Sequence, residues 1–300
     1  MEVVMQIANP IYDVVFKYLL EDKEAAKLLL SKVTGESIKD LDVLPQEHTV
    51  ELKNKSLTVY RLDFSAKIKL KTGAFKQVLI EIQKAKFSTD IMRFRRYLGE
   101  QYKNDANVYL DENGDQKALP LINVYFLGKN LKYAKQPVIN VKRGYYDAST
   151  GKKIKEHEEF IESLSHDSVV VQISKLKEPY KTELEKLLSV FDQKYVTSKN
   201  KHVLNIDESE YPKKYIKIIR RLQRAIAEHE VRETMDIEDD ILEELGDMER
   251  LIEKKDDTIK EQGSTIEEQG KELKQKDRTL EENEKLIREL KRKLQMVSDE

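Results

Sequence analysis

The chain has no cysteine and only ten glycines and six prolines in 300 residues. Without thiols, disulfides, thiolate zinc sites and cysteine nucleophiles are excluded. The five histidines are scattered and lack the spacing of metal ligands. No run approaches the ~18 apolar residues of a membrane span. The opening MEVVMQIANP does not have the pattern of a signal peptide. We therefore expect a cytoplasmic protein without membrane contact.

Charge is abundant and unevenly distributed. Charged residues make up 37% of the chain and hydrophobic residues 39%, which is too polar for one compact globule and indicates a solvated helix or a disordered part. Residues 236–300 hold 13 basic and 22 acidic residues, a net charge of −9. Residues 1–235 hold the remaining 41 basic and 34 acidic residues, a net charge of +7. A basic body with an acidic tail points to a polyanionic partner, although many soluble domains are equally basic.

Hydrophobic periodicity in the first half predicts an α/β domain. A helical pattern starts at Asn9-Pro10 and ends at Gly35. Two strands follow, Leu57–Leu70 and Gln77–Gln83, joined by a turn at 71–73. After them come a helix over Ser88–Leu110, a loop with the sequence DENGDQ and a buried strand over Leu119–Leu127. The order helix, strands, helix, strand fits one domain.

The later segments predict one more strand, two helices and a tail. The strand covers Val169–Ile173, and the helices cover Lys181–Gln193 and Pro212–Val231. The second helix is rich in Lys and Arg in its first turns, so it could bind DNA or only connect the preceding domain to the tail. We therefore expect a domain over 1–195, a basic helical linker over 196–235 and an acidic coiled coil over 236–300.

The tail carries a seven-residue apolar repeat. Its members are Leu245, Ile252, Ile259, Ile266, Leu273, Leu280, Ile287 and Leu294. This spacing is typical of a left-handed coiled coil and predicts a homo-oligomer through residues 245–297. The second core position, three residues later, is mostly polar, and Gly263 and Gly270 each weaken the helix by about 1 kcal/mol relative to Ala. The alternative is a single charged helix.

Two acidic residues lie inside apolar strands. Glu81 stands within the run Val78–Gln83, and Asp63 lies in the strand before it. Burying an unpaired carboxylate costs free energy, so we expect each of these acids to have a binding partner or a function. A hairpin about Gly73 would place position 63 nearly opposite position 83, so that Asp63 and Glu81 would be diagonal neighbours on one face of the sheet. Two carboxylates on one face form a suitable site for a hard divalent cation. The alternative is that both acids face solvent or pair with Lys67 or Lys69.

Four motifs in this order give the chain a family resemblance. They are the opening Asn9-Pro10-Ile11-Tyr12-Asp13-Val14-Val15-Phe16-Lys17, Asp63 in a strand, Ile80-Glu81-Ile82-Gln83, and the helix IMRFRRYLGEQY with Arg93 and Tyr97. Over roughly residues 9–195 the chain resembles the PD-(D/E)XK nuclease superfamily. Within it, the chain is similar to the family of recombination-promoting nucleases, also described as transposases. The resemblance implies a restriction-endonuclease-like core of helix, mixed sheet, helix and strand, followed here by the coiled-coil helix.

The resemblance also implies roles for individual residues. Asp63 and Glu81 would hold Mg²⁺, with Mn²⁺ as a substitute, and the main-chain carbonyl of Ile82 would be a third ligand. Gln83 takes the place of the superfamily lysine that orients or activates the attacking water; an amide can position water but supplies no positive charge. Asp13 would add a carboxylate, or would instead only favour the dipole of the first helix.

The helix after the site is basic and implies DNA as the partner. Arg93 and Arg96 lie three residues apart with Tyr97 adjacent, and Lys84 precedes them. Such a face could bind phosphates without reading sequence, whereas the alternative is a solvated helix surface. The sequence thus predicts a magnesium-dependent DNA endonuclease. The rival interpretation is a catalytically decayed nuclease fold that acts as a DNA-binding or coiled-coil scaffold protein.

Overall fold

A computed structural model describes residues 4–51, 58–83, 90–105, 107–111, 113–156 and 158–298. The chain forms two compact units, Met1–Glu243 and Glu244–Glu300. Seven α-helices are described: α1 Asp13–Glu21, α2 Lys23–Thr34, α3 Asp90–Lys103, α4 Glu159–Leu164, α5 Glu183–Leu188, α6 Ile216–Ala225 and α7 His229–Ser298.

Thirteen strands are described in the same ranges. They are β1 Val4–Ala8, β2 Ile38–Glu51, β3 Thr58–Leu70, β4 Phe75–Gln83, β5 Val108–Leu110, β6 Gln116–Ala118, β7 Leu121–Leu127, β8 Val138–Val141, β9 Tyr145–Tyr146, β10 Lys153–Ile154, β11 His166–Gln172, β12 Val196–Thr197 and β13 Asn200–Asp207. The main sheet has the order β2-β3-β4-β7-β11-β8. β2, β3 and β4 are antiparallel, β4, β7 and β11 are parallel, and β8 runs antiparallel to β11. The predicted α/β class is confirmed, with a mixed six-stranded sheet.

The first helical pattern forms two helices where we predicted one. Asp22 interrupts it, because its Oδ1 accepts hydrogen bonds from the N–H groups of Glu24 at 3.1 Å and Ala25 at 3.0 Å. This side chain therefore caps the start of α2. The predicted break at Gly35 is confirmed: with a φ of 74°, Gly35 adopts the left-handed conformation that commonly ends a helix.

The hairpin between β3 and β4 is present, but its register differs from the expected one. Gly73 has a φ of 93°, and its N–H donates to the Leu70 carbonyl at 3.0 Å. The strands pair Lys69 with Phe75 and Phe64 with Ile80. Continuing this register places position 63 beside 81, whereas we expected it nearly opposite 83. The expectation was wrong because the connection consists of residues 71–74, and the strand pairing is centred on residue 72 and not on Gly73.

Nine of the thirteen described strands lie where no strand was predicted, among them β2, β5, β6 and β8. β2 pairs with β3 along its length, and both it and the four-residue β8 lie at the edges of the main sheet. Pro45 lies within β2, and its missing N–H is tolerated in an edge strand. The short strands β5 and β6 flank the predicted DENGDQ loop. The predicted helix was too long: α3 ends at Lys103, and Val108–Leu110 form β5.

The two faces of the main sheet differ in chemistry. One carries Phe64, Ile80 and Phe126 into the core, where the ring of Phe16 from α1 lies 5.9 Å from Phe64 and 5.3 Å from Phe126. Strand alternation turns the neighbouring positions to the opposite face. That face bears buried Ser65, Gln77 and Asn123. It is covered in part by α3, whose Gln101 side chain reaches Gln77.

Residues 196–243 belong to the first unit, whereas we expected a linker over 196–235. β13 pairs with β1, and α6 buries Ile218, Ile219 and Leu222 in the core. Four of the basic residues on and just before α6 are engaged in ion pairs: Lys214 with Glu183, Lys217 with Asp22, Arg220 with Glu208 and Arg221 with Glu21. These contacts favour a structural role for this basic segment.

Helix α7 runs without interruption from His229 to Ser298. Within the first unit it begins with buried Val231 and Met235. In the second unit the repeat residues from Ile252 to Ile287 are 51–68% exposed. The predicted tail helix is therefore present.

Candidate active site

Strand β4 presents Glu81 on the polar face of the sheet. Ile80 before it is buried in the core, so alternation turns Glu81 away from α1. Asp63 precedes Phe64 just as Glu81 follows Ile80, and Phe64 and Ile80 are paired. Positions 63 and 81 thus lie on neighbouring strands and belong to one face. The side chain of Asp63 lies outside the described part of the structure.

Tyr125 of β7 is the neighbour of Glu81 on the other side. The parallel register pairs these two residues, so both belong to the polar face. Burial, followed by the negative charge of Glu81, raises the pKa of Tyr125 to about 12. The phenol therefore keeps its proton at neutral pH and offers a hydrogen-bond donor beside the carboxylate.

A buried polar network ties α3 to this face. Gln77 Nε2 donates to Ser65 Oγ at 2.6 Å and to Gln101 Oε1 at 2.9 Å. Asn107 Nδ2 donates to the same Oε1 of Gln101 at 2.9 Å. Since Gln77, Ser65 and Gln101 are each at most 4% exposed, these bonds hold the end of α3 against β3 and β4.

Asn123 is a further buried amide on the same face of the sheet, two residues before Tyr125 in β7. Its amide lowers the pKa of Tyr125 and so partly offsets the effect of Glu81. Nevertheless neither amide atom of Asn123 makes a hydrogen bond of ordinary geometry, and among the described residues Gln77 Oε1 is in the same situation. Buried amide atoms of this kind usually bind ordered water. The polar face therefore holds buried amide groups near Tyr125 whose hydrogen-bonding capacity is not used up by the described residues.

A tyrosine–histidine pair lies at the other end of the covered face. Tyr102 Oη and His166 Nδ1 are 2.9 Å apart. Burial and then the charge of Arg143 lower the pKa of His166, whereas burial raises the pKa of Tyr102. Both groups are therefore neutral at pH 7, and the tautomer of the imidazole decides which of them donates the hydrogen bond.

Sequence reasoning missed Gln77, Gln101, Asn123, Tyr125 and His166. A signal existed for two of them. Asn123 and Tyr125 are polar residues at even spacing inside the apolar strand LINVYFL, as Glu81 is in VLIEIQ. Even spacing places residues of one strand on one face. The pairing of β4 with β7, which joins the two patterns, could not be inferred from either strand alone.

Asp13 is not brought to Glu81. It starts α1, which packs against the core face, whereas Glu81 belongs to the opposite face. The backbone N–H groups of Asp13 and Val14 donate to Glu238 of α7 at 3.1 and 2.9 Å. This position agrees with the helix-terminal role that we considered as the alternative.

The other predicted residues are placed only in part. Ile82 lies in β4 with its side chain half-buried against the core. Gln83 ends β4, and Arg93, Arg96 and Tyr97 lie in α3, but their side chains are outside the described part, as are Lys84 and the predicted cap Ser88 or Thr89. Within the described residues no three His, Cys, Asp or Glu side chains converge to hold a metal ion. The same residues contain no helix long and apolar enough to cross a membrane.

No family model, no curated protein and no solved structure matches the chain.

Proposed function

We propose that the protein is a magnesium-dependent DNA endonuclease of the PD-(D/E)XK type, in which Asp63 and Glu81 form the acidic centre. The observation that carries the proposal is the position of these acids, one residue beyond the pair Phe64–Ile80 on neighbouring strands. The order α1–α2, antiparallel β2–β4, α3 and parallel β7 also supports a restriction-endonuclease-like core.

The donor set fits a hard cation. Asp63 and Glu81 supply carboxylate oxygens and Ile82 a main-chain carbonyl, which are ligands that Mg²⁺ and Mn²⁺ accept. A bound Mg²⁺ would polarise the scissile phosphate and lower the pKa of a water molecule. Gln83 would orient the attacking water through its amide. Tyr125, protonated beside Glu81, would help to fix that carboxylate.

DNA phosphates would be bound along α3. Arg93 and Arg96 follow the site in sequence and lie on the helix that is tied to the polar face through Gln101. The rival basic segment at α6 is largely engaged in ion pairs with the body. We therefore assign Arg93, Arg96, Tyr97 and Lys84 to backbone contacts with DNA.

The decisive test is plasmid cleavage with Mg²⁺, Mn²⁺ or EDTA. Asp63→Asn and Glu81→Asn should each abolish metal-dependent cleavage while retaining the folded circular dichroism spectrum. The matched control is Asp105→Asn, an exposed acid just beyond α3, which should cut like the wild type. Wild-type rates in both site variants would show that the acids do not form the centre.

A scaffold function without catalysis is the second candidate. It is favoured by the long helix α7, whose apolar repeat is exposed. An inactive wild type that still binds DNA in EDTA would support this candidate over the nuclease. An inactive protein that binds no DNA under either condition would exclude both nucleic-acid roles.

A further inference from the structure

The second unit is a helix with an exposed apolar stripe. Its stripe residues Ile252, Ile259, Ile266, Leu273, Leu280 and Ile287 recur every seven residues and are each more than half exposed. Covering large aliphatic side chains at this spacing with another helix is favourable. The direction of a partner helix depends on the remaining contact positions and on charge.

A parallel pair of such helices would place like residues together. Three residues after each stripe residue, at the second contact position, stand Lys255 and Lys276. In a parallel in-register pair each lysine would face its own copy. Flanking positions would add contacts of Glu244 with Glu249 and of Glu272 with Asp277. All four contacts bring like charges together, which is unfavourable.

The charge of the helix also changes sign between its ends. Residues 244–257 contain six acidic and three basic residues, a net charge of −3. Residues 285–298 contain five basic and one acidic residue, a net charge of +4. An antiparallel pair brings these two ends together, and it turns Lys255 and Lys276 toward Ile287 and Ile266 instead of toward their own copies.

Hydrophobic matching favours the same arrangement. The apolar residues at the second contact position are Met248, Leu290 and Val297. When residue 245 is aligned with residue 297 of the other copy, these three residues meet Leu294, Ile252 and Leu245. One register therefore satisfies both the apolar residues and the charged ends.

We propose that the tail helices of two copies associate antiparallel over residues 245–297, with position 245 beside position 297 of the partner copy. The inference deepens the expected self-association through the same residues and is independent of the nuclease proposal. Because the two ends of the stripe carry opposite net charges, a second copy of the helix can cover the stripe and pair both charged ends without any other component.

The absence of cysteine allows a direct test in the full chain. Arg250→Cys, Lys271→Cys and Arg292→Cys introduce single spin-label sites on the side of the helix away from the stripe. In an antiparallel pair, labels at 250 in both copies should lie about 60 Å apart, from 42 residues at about 1.5 Å each. Labels at 271 should lie within about 25 Å, roughly two helix diameters.

The comparison of single and mixed samples separates the outcomes. In an antiparallel pair, combining the 250 and 292 variants adds a distance within about 25 Å that neither variant shows alone, whereas in a parallel pair it adds a distance of about 60 Å to the short distances of the single variants. A parallel result overturns the orientation but keeps the association. A monomer by light scattering at all concentrations used for the distance measurements overturns both.

Charge reversal provides a second readout. Lys291→Glu with Lys293→Glu should weaken association about tenfold, because it reverses positions that flank the contact. Adding Glu244→Lys and Glu249→Lys should restore it. The matched control, Lys285→Glu with Arg292→Glu, makes the same change in net charge on the outer side of the helix and should weaken association less than about threefold. Equal losses in both pairs would contradict a specific antiparallel contact.

Discussion

Gln83 is the last residue of β4, and the proposed function assigns it the place of the superfamily lysine. Under the proposed function, Gln83→Ala should slow single-turnover cleavage by about 10- to 1000-fold, the range for losing one positioned polar group. Gln83→Lys should be tolerated, because it restores positive charge near the reacting phosphate. DNA affinity should change little in both variants. An unchanged rate in Gln83→Ala would show that this residue does not act on the water.

Tyr125 gives a prediction for alkaline stability. Its folded-state pKa is raised to about 12 by burial and by Glu81, so the protonated phenol is favoured in the folded protein. This contribution is fully present below the unfolded pKa near 10 and is lost as the pH rises to about 12. Each pKa unit corresponds to about 1.4 kcal/mol, so the loss is at most about 3 kcal/mol.

Urea unfolding between pH 8 and 12 measures this effect. Tyr125→Phe should lose less stability over that interval than the wild type, because no phenol at this position ionises on unfolding. Tyr133→Phe is the control, since Tyr133 is 86% exposed. It should follow the wild-type curve. Parallel curves for the wild type and Tyr125→Phe would contradict the raised pKa.

At the scale of elements, the first turns of α7 hold the start of α1. Asp239 accepts from the Tyr12 hydroxyl at 3.0 Å, lies 2.7 Å from His202 Nε2 and pairs with Lys201 at 3.1 Å. Asp239→Ala should therefore lower the free energy of unfolding by about 2–3 kcal/mol, because it leaves partly buried groups without their partner.

The neighbouring acid is a matched control for this contact. Asp240 is exposed on the same helix, and Asp240→Ala should change stability by less than about 0.5 kcal/mol. Hydrogen exchange should also be faster at the N-terminus of α1 in Asp239→Ala only. Equal effects of the two substitutions would mean that Asp239 does not hold this junction.

Elements with a strong local pattern were predictable from the sequence. The repeat in α7, the apolar run of β7 and the glycines after α2 and β3 depend on neighbouring residues alone. β2 was missed because Pro45 and polar residues hide its alternation, and its pairing with β3 is a tertiary contact. The acid Glu81 was predictable as unusual, whereas its neighbours Tyr125 and Gln77 depended on strand order and on the placement of α3.

At the scale of the whole molecule, the boundary between the units lies inside a helix. Residues 1–243 should fold with the stability of the full chain and should be monomeric, since they keep Glu238 and Asp239 but lose the apolar repeat. Truncation after Met235 should be destabilising because it removes both acids. Thermal unfolding and light scattering on the two fragments measure these effects. Equal stability of the two would contradict a structural role for residues 236–243.

The edges of the main sheet have a consequence for behaviour at high concentration. An uncovered strand edge is a template on which other chains add by backbone pairing, the first step toward fibrils. Here one edge strand, β8, has only four residues, and the other, β2, carries Pro45 in its interior. Neither edge offers a long uninterrupted row of amide donors. Growth of the sheet from molecule to molecule is therefore disfavoured, even where many copies of the chain are held close together.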